Sequence, residues 1–163
     1  MGMQAVYLAV DEPTLDRLVA ADPADLVELI EELEEADTPK FSMDKLWDGL
    51  HFLLTGASAA SPIEGDPLSE AVVGVHIFPG DDFVGCTELD ELPRIVERLD
   101  ALDLDALLNG ADFATFDRAD VYPRIWTDDP AALAAELSEA FVGLRAFHHR
   151  CVADGKHLIV SIY

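Results

Sequence analysis

The sequence predicts an α+β fold: a single compact domain with a small mixed sheet that includes both terminal strands and a central hairpin, flanked by several helices. Three observations carry this expectation. Residues 3–10 and 158–162 have strand patterns, and the helical periodicities between them cluster in pairs rather than alternating singly with strands. Half of the 163 residues are apolar, enough at this length for one sizeable core without disulfides or metals.

In residues 3–10 the apolar side chains occupy both faces, Val6, Leu8 and Val10 opposing Met3, Tyr7 and Ala9, as in a strand covered on both sides. A short helix is predicted over 14–20. Asp22-Pro23 then supplies a cap and a first-turn proline for a helix over 23–36. Leu26, Leu29, Ile30 and Leu33 form its apolar stripe, and Glu28, Glu31, Glu32, Glu34 and Glu35 fill most other positions. Ser42 reads as the cap of a second helix over 43–55 that stops at Gly56, and 56–65 as a loop of small residues. Asp66-Pro67 opens a short helical turn. Segments 72–78 and 83–87 flank Pro79-Gly80-Asp81-Asp82, a hairpin signal. Leu92, Ile95, Val96 and Leu99 mark a third helix, with Pro93 confined to its first turn, and 103–109 forms one more, stopped by Gly110. The longest helix starts at Asp129-Pro130 and runs to about residue 153, roughly 36 Å at 1.5 Å per residue. Its stripe is Leu133, Leu137, Phe141, Leu144, His148 and Cys151, and the strand 158–162 follows Asp154-Gly155.

Thirty-three acidic residues against ten basic ones leave a formal net charge of −23, which excludes a nucleic-acid binder, and the regular apolar spacing excludes a disordered acidic tail. The 20 Asp and 13 Glu stand beside 22 Ala and only 3 Lys, a bias found in GC-rich or salt-adapted genomes. The competing explanation is a surface that steers a basic partner toward it. Cys86 and Cys151 lie 65 positions apart with no apolar leader before them, as expected of a reduced, cytoplasmic protein. No apolar run approaches the roughly 20 residues of a membrane span, and there is no basic amphipathic helix, so no membrane contact is expected. The start Met1-Gly2-Met3 invites a myristoylation reading, but Val6 stands where that motif needs Ser or Thr.

The most unusual segment is 44–56, Asp-Lys-Leu-Trp-Asp-Gly-Leu-His-Phe-Leu-Leu-Thr-Gly, which has almost no polar face past Asp48 and so reads as a helix buried on most sides. Trp47, His51 and Thr55 are spaced four apart and stack as one row beside the apolar row Leu46, Leu50 and Leu53. This block, the start Met1-Gly2-Met3, the block from Asp66-Pro67-Leu68-Ser69 through Gly74, and Tyr122-Pro123 together resemble the YfbM-like bacterial family, domain of unknown function 1877. The matching positions spread through most of the chain. The acidic helix over 23–36 and the Ala-rich final helix lie outside them. The resemblance implies a compact α+β domain from a bacterial cytoplasm, and it implies no activity.

Two sets of residues are candidates for function. In the first, His51 is a base or ligand group in a pocket, Trp47 a flat wall, Thr55 a hydrogen-bond donor and Asp48 the group that orients His51. Asp66 could face the same cavity and Tyr122 line it. The structural alternatives are a core histidine bonded to a carbonyl that positions the loop 56–65, a helix cap for Asp66 and a turn for Tyr122. His148, His149, Cys151, Asp154 and His157 have metal-binding side chains but lack paired short spacings on two elements, so neither a metal nor another cofactor is expected. No Gly-rich phosphate loop, Gly-x-Ser-x-Gly elbow or Cys-x-x-Cys pair occurs, and no residue is assigned as catalytic. The second set is the acidic face. Glu28 with Glu32, and Glu31 with Glu35, are like-charge pairs one helical turn apart, with no basic residue in the segment to relieve them. The favoured expectation is a non-catalytic interaction protein, immunity- or inhibitor-like, that binds a basic partner. The alternative is a small-molecule or hydrolytic pocket around Trp47 and His51.

Overall fold

β1 (Ala5–Val10) and β5 (His157–Ile162) lie side by side and antiparallel, Ala5 opposite Ile162 and Val10 opposite His157. The computed structural model describes residues 2–163; Met1, which belongs to the resemblance and to the myristoylation reading, lies outside them. With β2 (Lys40–Asp44), β3 (His76–Ile77) and β4 (Phe83–Thr87) the sheet runs in the order β2-β1-β5-β4-β3. The expected mixed sheet is antiparallel throughout among the described residues, because β5 enters between β1 and β4 pointing opposite to both.

Strand alternation divides the interior in two. Ala5, Tyr7, Ala9, Leu158, Val160 and Ile162 face a large core built by α3 (Trp47–Thr55), α4 (Pro67–Val73), α5 (Leu92–Ala101), α7 (Phe113–Arg118) and α8 (Pro130–Asp154), with α6 (Leu104–Asn109) packed at its margin. Leu8, Val10, Val84, Cys86 and Ile159 face a smaller core closed by α1 (Glu12–Ala20) and α2 (Leu26–Glu35) through Leu15, Leu18, Leu26 and Ile30. Both faces of β1 are therefore covered, as its unbroken apolar pattern predicts.

Several elements differ from expectation for identifiable reasons. Ser42 does not cap a helix: residues 40–44 form β2 against β1, and the Ser42 hydroxyl accepts the Asp44 N–H at 3.2 Å. Asp44 then turns the chain at φ 52°, and the helix begins only at Trp47. Val72 and Val73 stay helical until Gly74, at φ 86°, because the Asp66 cap starts α4 early and the helix runs on through the β-branched pair. That leaves β3 two residues long. The acidic segment opens as a 3₁₀ turn, Pro23–Asp25, capped by Asp22, before α2 proper. α7 was not expected from the sequence.

Two glycines permit the closest crossings. Gly49 lets the Trp126 indole rest on α3, and Gly85 lets β4 pass beneath α4, where a Cβ would overlap the Val73 carbonyl oxygen. Gly85→Ala is therefore expected to destabilise the fold by about 2 kcal/mol or more, read as a lowered urea midpoint. His148 gives a second prediction. It is fully buried, its Nδ1 bonds the Leu144 carbonyl at 2.8 Å, and burial pushes its pKa from 6.5 down to about 4. The folded state thus resists protonation that the unfolded chain accepts. The stability of the neutral form is complete above pH 6.5 and is lost as the pH falls toward about 4, an effect of roughly 3 kcal/mol. Urea midpoints across that window should fall less steeply for His148→Leu than for the wild type.

Candidate functional site

α3 carries the row Trp47, His51 and Thr55 on one face, as its spacing predicts, and each of the three is committed to a bond. The Trp47 indole N–H donates to the Met3 carbonyl at 3.1 Å, and its ring stacks on Tyr122 at 5.4 Å between centroids. The Thr55 hydroxyl donates to the His51 carbonyl at 2.7 Å and accepts the Ala57 N–H at 3.2 Å.

His51 has no exposed surface. Its Nδ1 lies 2.6 Å from the Ala57 carbonyl, which can only accept, so Nδ1 carries the proton. Nε2 then accepts from the Ser69 hydroxyl at 2.7 Å, and the Ser69 oxygen accepts the Ile63 N–H at 2.9 Å. Burial lowers the His51 pKa below the ordinary histidine value, while the Ala57 bond and the charges of Asp48 and Asp66 pull the other way. A neutral imidazole beside a serine has the makings of a base and a nucleophile. Here the serine is wholly buried and its oxygen is used in both directions. A depression of about 150 Å³ is lined by Ile63, Ser69, Glu70 and Ile77, but the Ser69 side chain has no exposed surface.

Asp48 does not hydrogen-bond His51. Its Oδ1 accepts from the Ser58 hydroxyl at 2.9 Å and the Ala59 N–H at 2.7 Å, and its Oδ2 accepts the Tyr122 N–H at 2.8 Å. Asp66 caps α4 through the Leu68 N–H at 2.9 Å. Glu70, which sequence reasoning passed over, is buried; it accepts the Gly65 N–H at 2.9 Å and is ion-paired to Arg94.

The five pocket candidates consequently do not converge. Trp47 lines a cleft of about 460 Å³ with Asp48, Ser58, Ala59, Ala60, Phe83 and Tyr163, and Asp81 and Asp82 stand at its lip. His51 and Thr55 lie behind this wall, Tyr122 backs the Trp47 ring, and Asp66 serves its helix. Asp81, Asp82 and Phe83, where the turn enters β4, carry both charge and an aromatic ring, the local sign of these walls.

Glu28, Glu31, Glu32 and Glu35 are exposed along α2, and among the described residues a single arginine, Arg17 of α1, reaches one of them, Glu32, at 2.9 Å; Lys40 bonds the Glu34 carbonyl of the same helix. Glu34 turns inward and accepts from the Tyr163 hydroxyl at 3.0 Å. A second depression, of about 540 Å³, joins Asp22 and Pro23 to Gly80, Asp81 and Asp82, so the carboxylates at the cleft lip are neighbours of the acidic segment's first turn.

The metal-type residues near the end of the chain go to separate partners: His148 to Leu144, His149 to Asp100 at 2.8 Å, and His157 to Glu12 at 2.6 Å. Among the described residues no group of three or more His, Cys, Asp or Glu could hold a metal ion, and no helix is long and apolar enough to cross a membrane. Cys86 and Cys151 are free, sit in the two different cores, and are pushed up to about 12 by burial, so they are thiols at neutral pH.

The family model described as domain of unknown function DUF1877 matches residues 1–161, and the chain belongs to that family. Protein YfbM of Escherichia coli strain K12 is 29% identical over 166 residues, covering 99% of each chain. The crystal structure of YfbM from Escherichia coli, itself a protein of unknown function, matches with a TM-score of 0.85 at 27% identity, over 98% of this chain and 99% of that one.

Because Asp48, His51 and Ser69 are bonded inside the fold, their removal is felt as stability. Asp48→Ala strands three donors and should cost about 3 kcal/mol in urea unfolding. His51→Ala and Ser69→Ala should each destabilise, with a coupling of about 1 kcal/mol in their double-mutant cycle because they share one bond. Loss-free folding of His51→Ala would contradict this role.

Proposed function

We propose that this protein is a small, acidic, non-catalytic interaction protein of the bacterial cytoplasm that binds a basic protein partner, in the manner of immunity or inhibitor proteins. The observation that supports this reading is the solvent-facing row Glu28, Glu31, Glu32 and Glu35 on α2, in which, among the described residues, only Glu32 is ion-paired, to Arg17, while Lys40 bonds the Glu34 carbonyl of the same helix; Asp22, Asp81 and Asp82 continue the acidic surface. The two like-charge pairs cost the free protein a few tenths of a kcal/mol each. Docking a cationic surface removes that cost, and the long-range field of a chain with net charge −23 speeds the encounter. The buried polar groups weigh in the same direction: Asp48, His51 and Ser69 spend their hydrogen-bonding capacity inside the fold, which leaves none of them poised for catalysis. The same charge repels nucleic-acid phosphates. Two free, buried cysteines suit a reduced cytoplasm.

The test is affinity purification from a native host at about 50 mM and about 500 mM salt, conditions that bracket physiological screening. A basic protein should be retained at low salt, released at high salt, and lost when Glu28, Glu31, Glu32 and Glu35 are all changed to Gln. Because those side chains are exposed, the quadruple variant should keep the wild-type fold and lose no thermal stability. Capture that ignores both salt and the quadruple variant would overturn the reading.

A further inference from the structure

We propose that the cleft beside Trp47 seats one arginine side chain of that basic partner. The inference rests on the interaction reading above and assigns to it an anchor point. The cleft's volume, about 460 Å³, falls in the range of small-ligand sites. Its walls combine the apolar surfaces of Trp47, Ala59, Ala60, Phe83 and Ile162 with the carboxylates Asp81 and Asp82.

The hydrogen-bonding inventory selects the ligand. The cleft's side-chain donors are consumed, the Trp47 indole N–H by Met3, the Ser58 hydroxyl by Asp48 and the Tyr163 hydroxyl by Glu34, and the Ala59 and Ala60 N–H groups are bonded to Asp48 and to the Ser58 oxygen. The side chains left with free capacity are the carboxylates. Asp81 and Asp82 are exposed, and among the described residues neither is joined to a Lys, Arg or His. Two unpaired carboxylates beside apolar walls disfavour an anion, whereas a cation that donates hydrogen bonds and carries an apolar stem suits both. Guanidinium fits best: it has five donors and no acceptor, engages carboxylates in pairs and lies flat on aromatic faces. The cleft also opens on the acidic face. Asp81 and Asp82 border the depression that leads past Asp22 toward α2, so a basic segment lying on α2 would pass the cleft mouth.

The test uses N-acetyl-arginine amide and its uncharged near-isostere N-acetyl-citrulline amide, titrated into 15N-labelled protein. The chain has two tryptophans, so two indole N–H resonances report on Trp47 and on the buried Trp126. The arginine probe should shift the Trp47 indole and the amides of residues 81–83 saturably and leave the Trp126 indole in place, and the citrulline probe should shift none. Asp81→Asn with Asp82→Asn should weaken binding roughly tenfold. Ala60→Phe, at an exposed position whose side chain makes no hydrogen bond, should fill the cleft and abolish the shifts. Equal binding of citrulline, or undiminished binding by Ala60→Phe, would overturn the proposal. The quadruple α2 Gln variant separates the two readings. If it loses the partner while the wild type ignores the arginine probe, the cleft proposal fails alone. If the probe binds the cleft and partner capture is indifferent to α2, the α2 reading fails and the cleft site stands.

Discussion

A buried polar side chain must have its hydrogen bonds met, and that constraint organises one whole side of this molecule. Asp48, His51, Ser69 and Glu70 are each 0–5% exposed, and each reaches a different point of the loop 56–65. Asp48 takes Ser58 and Ala59, His51 takes Ala57, Ser69 takes Ile63 and Glu70 takes Gly65. The loop has little apolar surface of its own to bury, since residues 60–65 are exposed. Its conformation is set by side chains from α3 and α4, which could not be buried without it. The dependence is mutual: helices and loop satisfy each other or neither is stable.

From this mutual satisfaction follows the shape of the cleft. Asp48 ties down Ser58 and Ala59 on one side and the backbone of Tyr122 on the other, and Tyr122 in turn stacks on Trp47. The Ser58, Ala59 and Trp47 walls are thus held by bonds and packing within the fold itself. The side chains of Asp48, Ser58 and Tyr163 are hydrogen-bonded, whereas the carboxylates at the lip and most of those along α2 have no basic partner among the described residues. The boundary between structural and available chemistry runs between Asp48 and the pair Asp81 and Asp82.

Much of the fold was legible because its signals are local. The strand at 3–10, the proline-started helices at 67 and 130 and the glycine stops at 56 and 155 depend on neighbouring residues, and the structure has them within a few positions. β2 was hidden because Lys40-Phe41-Ser42-Met43-Asp44 is short and half polar, and its identity as a strand comes from pairing with β1 some 35 positions earlier. β3 was overestimated because Val72 and Val73 favour strands, and the helix cap at Asp66 outweighed them. At the site, the helical row of Trp47, His51 and Thr55 was readable, but the partners of its polar atoms were not, since Ser69 and Tyr122 arrive from outside the helix. The acidic face needed no partner to be seen, because its defining property is the lack of one nearby in sequence; the contacts of Arg17 with Glu32 and of Lys40 with the Glu34 carbonyl come from other elements and were not readable.

Interior and surface respond to salt differently. The bonds of Asp48 and His51 lie out of reach of mobile ions, whereas the surface carboxylates repel one another across water and are screened over about 8 Å at physiological ionic strength. Added salt therefore relieves the free protein's self-repulsion and favours the fold, while the same screening weakens attraction to a cationic partner. A basic surface docked on α2 acts on the free protein as concentrated counterions do, but at one place and in one orientation. The surplus charge is thus repulsion held in the folded chain, and the buried hydrogen bonds around Asp48 help the fold to carry it.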